Sequence, residues 1–139
     1  MGIISREGLV NYIRDNWYRI QNVTNEALQL ESTVVMENGN TKKSWRFVGN
    51  GCGVVYLNYT SKTPNTVFNK LVNEVHNTYG LQKFMNMFGD EQTADLEKSG
   101  IPLAALWEQD YMIQKTFFNI CSEYANANGI NCTVYARLD

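Results

Sequence analysis

The chain contains one possible thiol–imidazole pair, Cys52 and His76. A cysteine nucleophile needs its thiolate beside an imidazole, commonly with a helix N-terminus that lowers the thiol pKa. Cys52 instead precedes a predicted strand, and His76 falls at the edge of the apolar arc of a predicted helix. A small buried thiol and a boundary histidine are therefore the favoured interpretation, and we expect no catalytic residue.

A glycine-rich segment, Gly49 to Gly53, is a candidate for binding phosphate. Such turns bind phosphate when they lead into a helix, because the helix N-terminus supplies positive charge. This segment leads into a predicted strand, and no Gly-Lys-Ser/Thr sequence follows it. A hairpin loop with a bulge explains the glycines better.

Metal-binding patterns are also lacking. One histidine and three dispersed cysteines, with no HxxxH or EF-hand spacing, do not make a closed ligand set. Paired carboxylates such as Asp95 and Glu97 lie in an acidic stretch that we interpret as a solvated connector, whereas acid catalysis requires burial to raise a carboxyl pKa. The sequence thus predicts neither a metal nor a cofactor.

Asp110 and Gln114 are polar residues within the broad apolar arc of a predicted helix. Burying an unpaired carboxylate is costly, so Asp110 must have a partner. Arg14, Arg19, the indole N–H of Trp45 or a tyrosine hydroxyl could serve. Two interpretations stay open: a satisfied polar network that fixes the helix register, or the floor of a ligand pocket or subunit contact.

Basic and aromatic residues mix in the second predicted strand, as in proteins that bind single-stranded nucleic acids. Strand alternation places Trp45 and Phe47 opposite Lys42 and Arg46, so ring and charge would not share a surface. The net charge of −2 also argues against a general nucleic-acid binder. We therefore predict no nucleic-acid partner.

Hydrophobic periodicity predicts the elements that position these residues. The first helix starts at the cap residue Ser5 and ends between Gln21 and Asn25. Alternation from Leu28 to Met36 predicts a strand, in which Leu28, Leu30, Val34 and Met36 form the apolar face. A turn at residues 38–40 leads to the second strand, and Val54 to Thr60 form a third, completing an antiparallel meander.

The second half of the chain is predicted to be mainly helical. Thr63-Pro64 starts a helix that ends at Gly80, and residues 81–88 form another short helix. After the acidic connector, a long helix runs from Pro102 to Gly129. Clear alternation from Ile130 to Leu138 predicts a last strand that joins the sheet.

These elements predict one α+β domain over residues 1–139, with helices packed on one sheet face. No apolar run is long enough to span a bilayer, and no secretion leader is recognisable. The odd number of cysteines favours a reduced, cytoplasmic setting, which for a viral protein would be the host cytoplasm or the virion. Basic residues outnumber acidic ones in residues 1–62, and acidic residues outnumber basic ones afterwards.

The order of elements resembles, in architecture, small viral neck and tail-terminator subunits and some small inhibitors carried by phages. Aromatic side chains, frequent here, are enriched in the cores of interfaces. We therefore predict a non-catalytic protein that binds a protein partner, either as a homo-oligomeric assembly subunit or as an antagonist of a host protein. The alternative is a small-molecule or nucleotide binder with an aromatic-lined pocket near Asp110 and Gln114.

Seven residues are the predicted binding residues under these hypotheses. They are Asp110, Gln114, Trp107, Tyr111, Phe118, Trp45 and Arg46.

Overall fold

The computed structural model describes residues 4–60, 65–89 and 92–139. Its elements are, in chain order, α1 (Arg6–Asp15), α2 (Trp17–Ala27), β1 (Leu28–Val35), β2 (Thr41–Phe47), β3 (Gly53–Tyr59), α3 (Thr66–Met87), α4 (Thr93–Lys98), α5 (Leu103–Gln109), α6 (Tyr111–Ala127) and β4 (Cys132–Leu138). The predicted α+β class is confirmed. Two predicted features, the helix start at Thr63-Pro64 and the Asp90–Glu91 part of the acidic connector, lie outside the described residues.

The predicted first helix is two helices, α1 and α2. Ser5 caps α1 as expected, because its hydroxyl accepts a hydrogen bond from the N–H of Gly8 at 3.0 Å. The break falls at Asn16, whose side chain donates to the carbonyl of Tyr12 at 2.9 Å. The apolar arc continues across the break, since Ile13 and Ile20 are both buried. Helix α2 then leads directly into β1, beyond the predicted end.

The sheet topology differs from the predicted meander. Strands β1 and β2 form one antiparallel pair, and β3 pairs with β4 in a second two-stranded sheet, from Gly53 opposite Leu138 to Tyr59 opposite Cys132. The three-stranded meander was therefore wrong. The cause lies in the segment between β2 and β3, which hydrogen-bonds to the end of α5 instead of turning back along β2.

The register of the β1–β2 hairpin contains a bulge. Leu30 lies opposite Trp45 and Ser32 lies opposite Ser44, so Glu31 is an extra residue in β1. A single extra residue moves all later side chains to the other face. Val35, rather than the predicted Val34, therefore shares the face of Leu28 and Leu30.

The hairpin projects from the core. Every residue from 29 to 42 is exposed, whereas Ala27 and Leu28 at its base are buried. The core lies between the helices and the inner face of the β3–β4 sheet. Its largest fully buried side chains are Phe68, Phe84, Phe117, Leu9, Ile13, Ile20, Leu81, Met85, Leu96, Leu106, Ile113 and Ile120.

The second half of the chain follows the prediction at Gly80 and departs from it at Asp110. Asn65 caps α3 by accepting from the N–H of Phe68 at 2.9 Å, and α3 kinks at Gly80, where φ is +70°. The break at Gly80 was predicted, but ψ there is 170°, so the glycine does not adopt the left-handed helical conformation of the predicted cap. The predicted long helix from Pro102 to Gly129 is interrupted at Asp110, where ψ is 119°. This interruption organises the site described next.

Candidate functional site

Asp110 lies at the junction of α5 and α6 and is only 4% exposed. It ends α5 and is the N-cap of α6, since its Oδ1 accepts a hydrogen bond from the N–H of Ile113 at 3.0 Å. Aspartate is among the preferred N-cap residues because it satisfies a backbone donor that the first helical turn leaves unused. The polar residue in the apolar arc therefore marks the end of one helix and the start of another.

The same carboxylate binds the glycine-rich segment between β2 and β3. Its Oδ2 accepts from the backbone N–H of Asn50 at 2.8 Å, and its Oδ1 accepts from the side-chain amide of Asn50 at 3.1 Å. The N–H of Tyr111 donates to the carbonyl of Gly51 at 2.8 Å, next to a β-bridge between Cys52 and Asp110. The predicted need for a partner is confirmed.

The identity of that partner was predicted wrongly. Arg19 pairs with Glu123 on α6, and the indole N–H of Trp45 has no acceptor within the described residues. Asp110 uses an amide side chain and backbone N–H groups instead, all provided by its own helix or by the adjacent loop. These neutral donors satisfy the carboxylate without a buried cation.

Gln114 caps the other side of the break. Its backbone N–H donates to the carbonyl of Asp110 at 3.0 Å, and its side-chain amide donates to the carbonyl of Glu108. The carbonyl of Trp107 lies 3.5 Å from the same amide. Because the last carbonyls of a helix lack intrahelical donors, Gln114 satisfies the end of α5.

A cavity of about 210 Å³ lies beside this junction. Its surface is mainly apolar, and it includes Asp110 and the glycine-rich segment that the sequence associated with a pocket. Gln114 does not line it, and Phe47 is its one aromatic residue within the described part of the chain. The prediction of an aromatic lining was therefore wrong. The lining residues are Phe47, Val48, Gly49, Gly51, Cys52, Pro102, Ala105, Leu106, Gln109 and Asp110.

Trp107 and Phe118 belong to an aromatic cluster around His76 instead. The indole of Trp107 is buried, stacks on the imidazole at a centroid distance of 4.7 Å, and donates its N–H to the carbonyl of His76 at 3.0 Å. Phe117 and Phe118 approach the imidazole at 5.3 and 6.1 Å. Burial among these rings lowers the pKa of His76 below its usual 6.5.

The candidate nucleophile is not part of that cluster. Cys52 is exposed and lines the cavity beside Asp110, whereas the imidazole of His76 contacts the rings of Trp107, Phe117 and Phe118. The other two thiols, Cys121 and Cys132, are buried, and their burial raises the pKa of each. The structure therefore does not bring Cys52 and His76 together as a thiol–imidazole pair.

Tyr111 and Arg46 occupy further positions. Tyr111 is half-buried and packs over Gly53, where an added Cβ would lie 2.5 Å from its ring. Arg46 is exposed and lies opposite Gln29, on the hairpin face away from Trp45. The seven predicted binding residues are thus distributed over the α5–α6 junction, the aromatic cluster and the hairpin.

A second concave region, the β2–α4 groove, was missed in the sequence. It has a volume of about 470 Å³, and Lys42, Lys43, Trp45, Asp95 and Lys98 are among the residues that line it. Register places Lys43 on the same hairpin face as Trp45, so a ring and a charge do share a surface here, against the prediction. Because α4 was interpreted as connector, nothing in the sequence indicated that it would meet β2.

An exposed apolar surface on the hairpin was also missed. We call it the hairpin surface and define it as Leu30, Val34, Val35, Met36, Phe47 and Val48. Alternation had suggested that helices would cover one face of a sheet that includes these strands. Because β3 pairs with β4 in a separate sheet, the hairpin projects from the core and these side chains stay exposed.

No protein-family model matches the chain, and comparisons with curated proteins and with solved structures give no significant match. Across residues 4–60, 65–89 and 92–139, no three His, Cys, Asp or Glu side chains group closely enough to hold a metal ion. None of the described helices has the length and apolar character needed to cross a membrane.

Proposed function

We propose that this chain is a non-catalytic protein that acts by binding a protein partner through the hairpin surface. The observation that carries the proposal is the apolar content of a projecting arm, where Val35 is 70% exposed and lies beside Val34 and Met36, both also exposed. Soluble proteins rarely leave large apolar patches uncovered unless they bind something. A partner that covered the arm would remove these side chains from water.

The architecture of the arm supports the same proposal. Seven residue pairs connect β1 to β2 in antiparallel register, and the turn is closed by the N–H of Met36 donating to the carbonyl of Asn40 at 2.7 Å. An ordered arm loses little conformational entropy on binding, which favours affinity. Because apolar side chains occupy both of its faces, the arm is suited to insertion between two surfaces.

The partner that the charge distribution favours is a second copy of this chain. Strand β2 carries Lys42, Lys43 and Arg46 and no carboxylate, whereas acidic residues outnumber basic ones after residue 62. A contact between basic strand β2 and an acidic part of a second copy is heterologous, and it closes into a ring or extends into a filament. This version is the assembly-subunit function, in the cytoplasm or in a virion.

Light scattering on matched variants tests the proposal. The wild-type particle should have a mass several times 15.9 kDa, and Val35→Ser combined with Met36→Ser should shift it toward the monomer. The matched control is Val67→Ser on α3, which removes an equally apolar side chain that is 77% exposed but lies outside the hairpin. A wild-type monomer would reject self-association and leave the antagonist version, in which the same double substitution must abolish binding to the partner.

A small-ligand function is the second candidate, and the cavity beside Asp110 favours it. About 210 Å³ of mainly apolar space suits a single ring, since a cavity of roughly 150 Å³ is known to hold benzene. A ligand that binds the native state raises the thermal midpoint by mass action. Indole or a substituted benzene should therefore raise the midpoint of the wild type, and Ala105→Phe, which fills the cavity, should remove that increase. Equal shifts in both proteins would reject this candidate.

A further inference from the structure

The β2–α4 groove concentrates positive charge. Lys42, Lys43 and Lys98 line it together with one carboxylate, that of Asp95, whereas the whole chain has a net charge of −2. Asp95 lies 3.3 Å from the ammonium of Lys43 and holds that side chain at the groove. Within the described residues, neither Lys42 nor Lys98 has a carboxylate at ion-pair distance. Two ammonium groups are thus left without a carboxylate partner in the part of the chain that the structure describes.

The walls of the groove are held together by Ser99. Ser99 directly follows the last residue of α4. Its hydroxyl lies 2.9 Å from the carbonyl of Asp95 in α4 and 3.3 Å from the carbonyl of Lys43 in β2. Together with the Lys43–Asp95 ion pair, this contact fixes α4 against the hairpin. The groove therefore exists before any ligand binds, which lowers the entropic cost of binding.

An unused donor lies among the lining residues. The indole nitrogen of Trp45 is buried and has no hydrogen-bond partner within the described residues. A buried donor without an acceptor is costly, but this nitrogen is closed to solvent, so a ligand in the groove would contact the accessible part of the indole instead. The indole also offers a ring on the hairpin face that carries Lys43, as in sites that combine stacking with charge.

We propose that the β2–α4 groove binds a ligand that carries phosphate groups. A diphosphate supplies negative charge for both unneutralised ammonium groups, and lysine is a common phosphate-binding residue. The volume of about 470 Å³ leaves space for more than the phosphates, so the ring of Trp45 would contact the remainder of the ligand. The proposal rests on other observations than the protein-binding function proposed above, but the two sites adjoin, because Lys42 and Lys43 belong both to the groove and to strand β2 of the hairpin.

Titration monitored by ¹H–¹⁵N correlation spectra tests this site, with pyrophosphate, ADP and a short single-stranded DNA as separate probes. The chain has three tryptophans, so the other two indole signals, from Trp17 and Trp107, are internal controls. We expect the Trp45 signal, assigned with Trp45→Phe, to move on titration while the other two stay in place. Lys42→Gln and Lys98→Gln should each weaken binding about tenfold, because each removes a charge-assisted contact.

The control variant is Lys70→Gln on α3, an exposed lysine outside the groove, which should leave affinity unchanged. Tighter binding of the DNA than of pyrophosphate or ADP, lost in the same two variants, would support the phosphate site and assign a nucleic-acid backbone as its source. The proposal is overturned if none of the probes moves the Trp45 signal at low salt. It is also overturned if Lys70→Gln weakens binding as much as Lys98→Gln does, or if a hexaglutamate peptide binds more tightly than every phosphate probe.

Discussion

Replacing Asp110 with alanine should destabilise the protein by about 3 kcal/mol. The carboxylate is an N-cap for Ile113, and losing such a cap costs about 1 kcal/mol. It also accepts from the backbone N–H of Asn50, and a donor left without an acceptor costs roughly 2 kcal/mol. The side-chain amide of Asn50 adds little, because it keeps the carbonyl of Val23 as a partner at 3.2 Å.

Urea unfolding monitored by circular dichroism measures this change. With a slope of about 2 kcal/mol per molar, the midpoint should fall by about 1.5 M. The matched control is Ser5→Ala, which removes the N-cap of α1 at an exposed position and should cost about 1 kcal/mol. The loss of stability in Asp110→Asn should lie between the losses in Asp110→Ala and Ser5→Ala. The amide nitrogen that replaces one carboxylate oxygen cannot accept from the N–H of Asn50, whereas the remaining oxygen can still cap α6.

A double-mutant cycle with Asn50→Ala isolates the hydrogen bond between the side chains of Asp110 and Asn50 from the N-cap interaction of Asp110. The two side chains share a hydrogen bond, so the double variant should lose less stability than the two single variants added together. The reasoning is refuted if Asp110→Ala costs no more than Ser5→Ala. Strict additivity in the cycle would show only that the hydrogen bond between the two side chains does not stabilise the fold, because the backbone N–H of residue 50 remains a donor in Asn50→Ala.

Three further predictions concern pH, backbone geometry and thiol access. Because burial lowers the pKa of His76 below 6.5, the unfolded chain binds a proton at this residue more readily than the folded chain does, and the free energy of unfolding should fall as pH decreases from about 6.5. His76→Gln should reduce that loss of stability in urea titrations at several pH values. A pH dependence that is the same in the variant and the wild type would contradict the burial of His76. Gly53→Ala should lower the thermal midpoint more than Gly39→Ala, because a Cβ at Gly53 would lie 2.5 Å from the carbonyl oxygen of Arg137. A Cβ at Gly39 meets no neighbouring atom and is strained only by the positive φ of that residue. The reverse order would show that β4 can shift to accommodate the added Cβ. A thiol reagent should label Cys52 quickly in the native protein and the two buried cysteines only on unfolding, and rapid labelling of all three would disprove the burial of the latter.

Features that depend on neighbouring residues were predictable from the sequence. The cap at Ser5, the buried arc that includes Leu9 and Ile13, and the turn at residues 38–40 all have the predicted form. The alternation in β4 is likewise confirmed, with Cys132 buried and Thr133 exposed. Each of these rests on hydrogen bonds or periodicity within a few positions, which a sequence states directly.

The candidate site was predictable only in part. Asp110 and Gln114 stood out in the sequence because they are polar residues within an apolar arc. The expected burial of the Asp110 carboxylate implied that it has a partner. The sequence did not reveal that the two residues cap opposite sides of a helix break, or that the partner is Asn50, 60 positions away along the chain. Aspartate is a frequent N-cap, so the break itself had a signal in the sequence.

Strand pairing and surface exposure were decided by the tertiary structure. The periodicity of β1 and β3 specifies that each has an apolar face, but not which strand lies beside it. Once the glycine-rich segment binds Asp110, β3 lies next to β4, the hairpin keeps an uncovered apolar surface, and α4 meets β2 at the lysine-lined groove. Apolar patterning is a property of each segment. Strand pairing depends instead on which distant groups supply hydrogen-bond partners for the backbone N–H and C=O groups that folding removes from water.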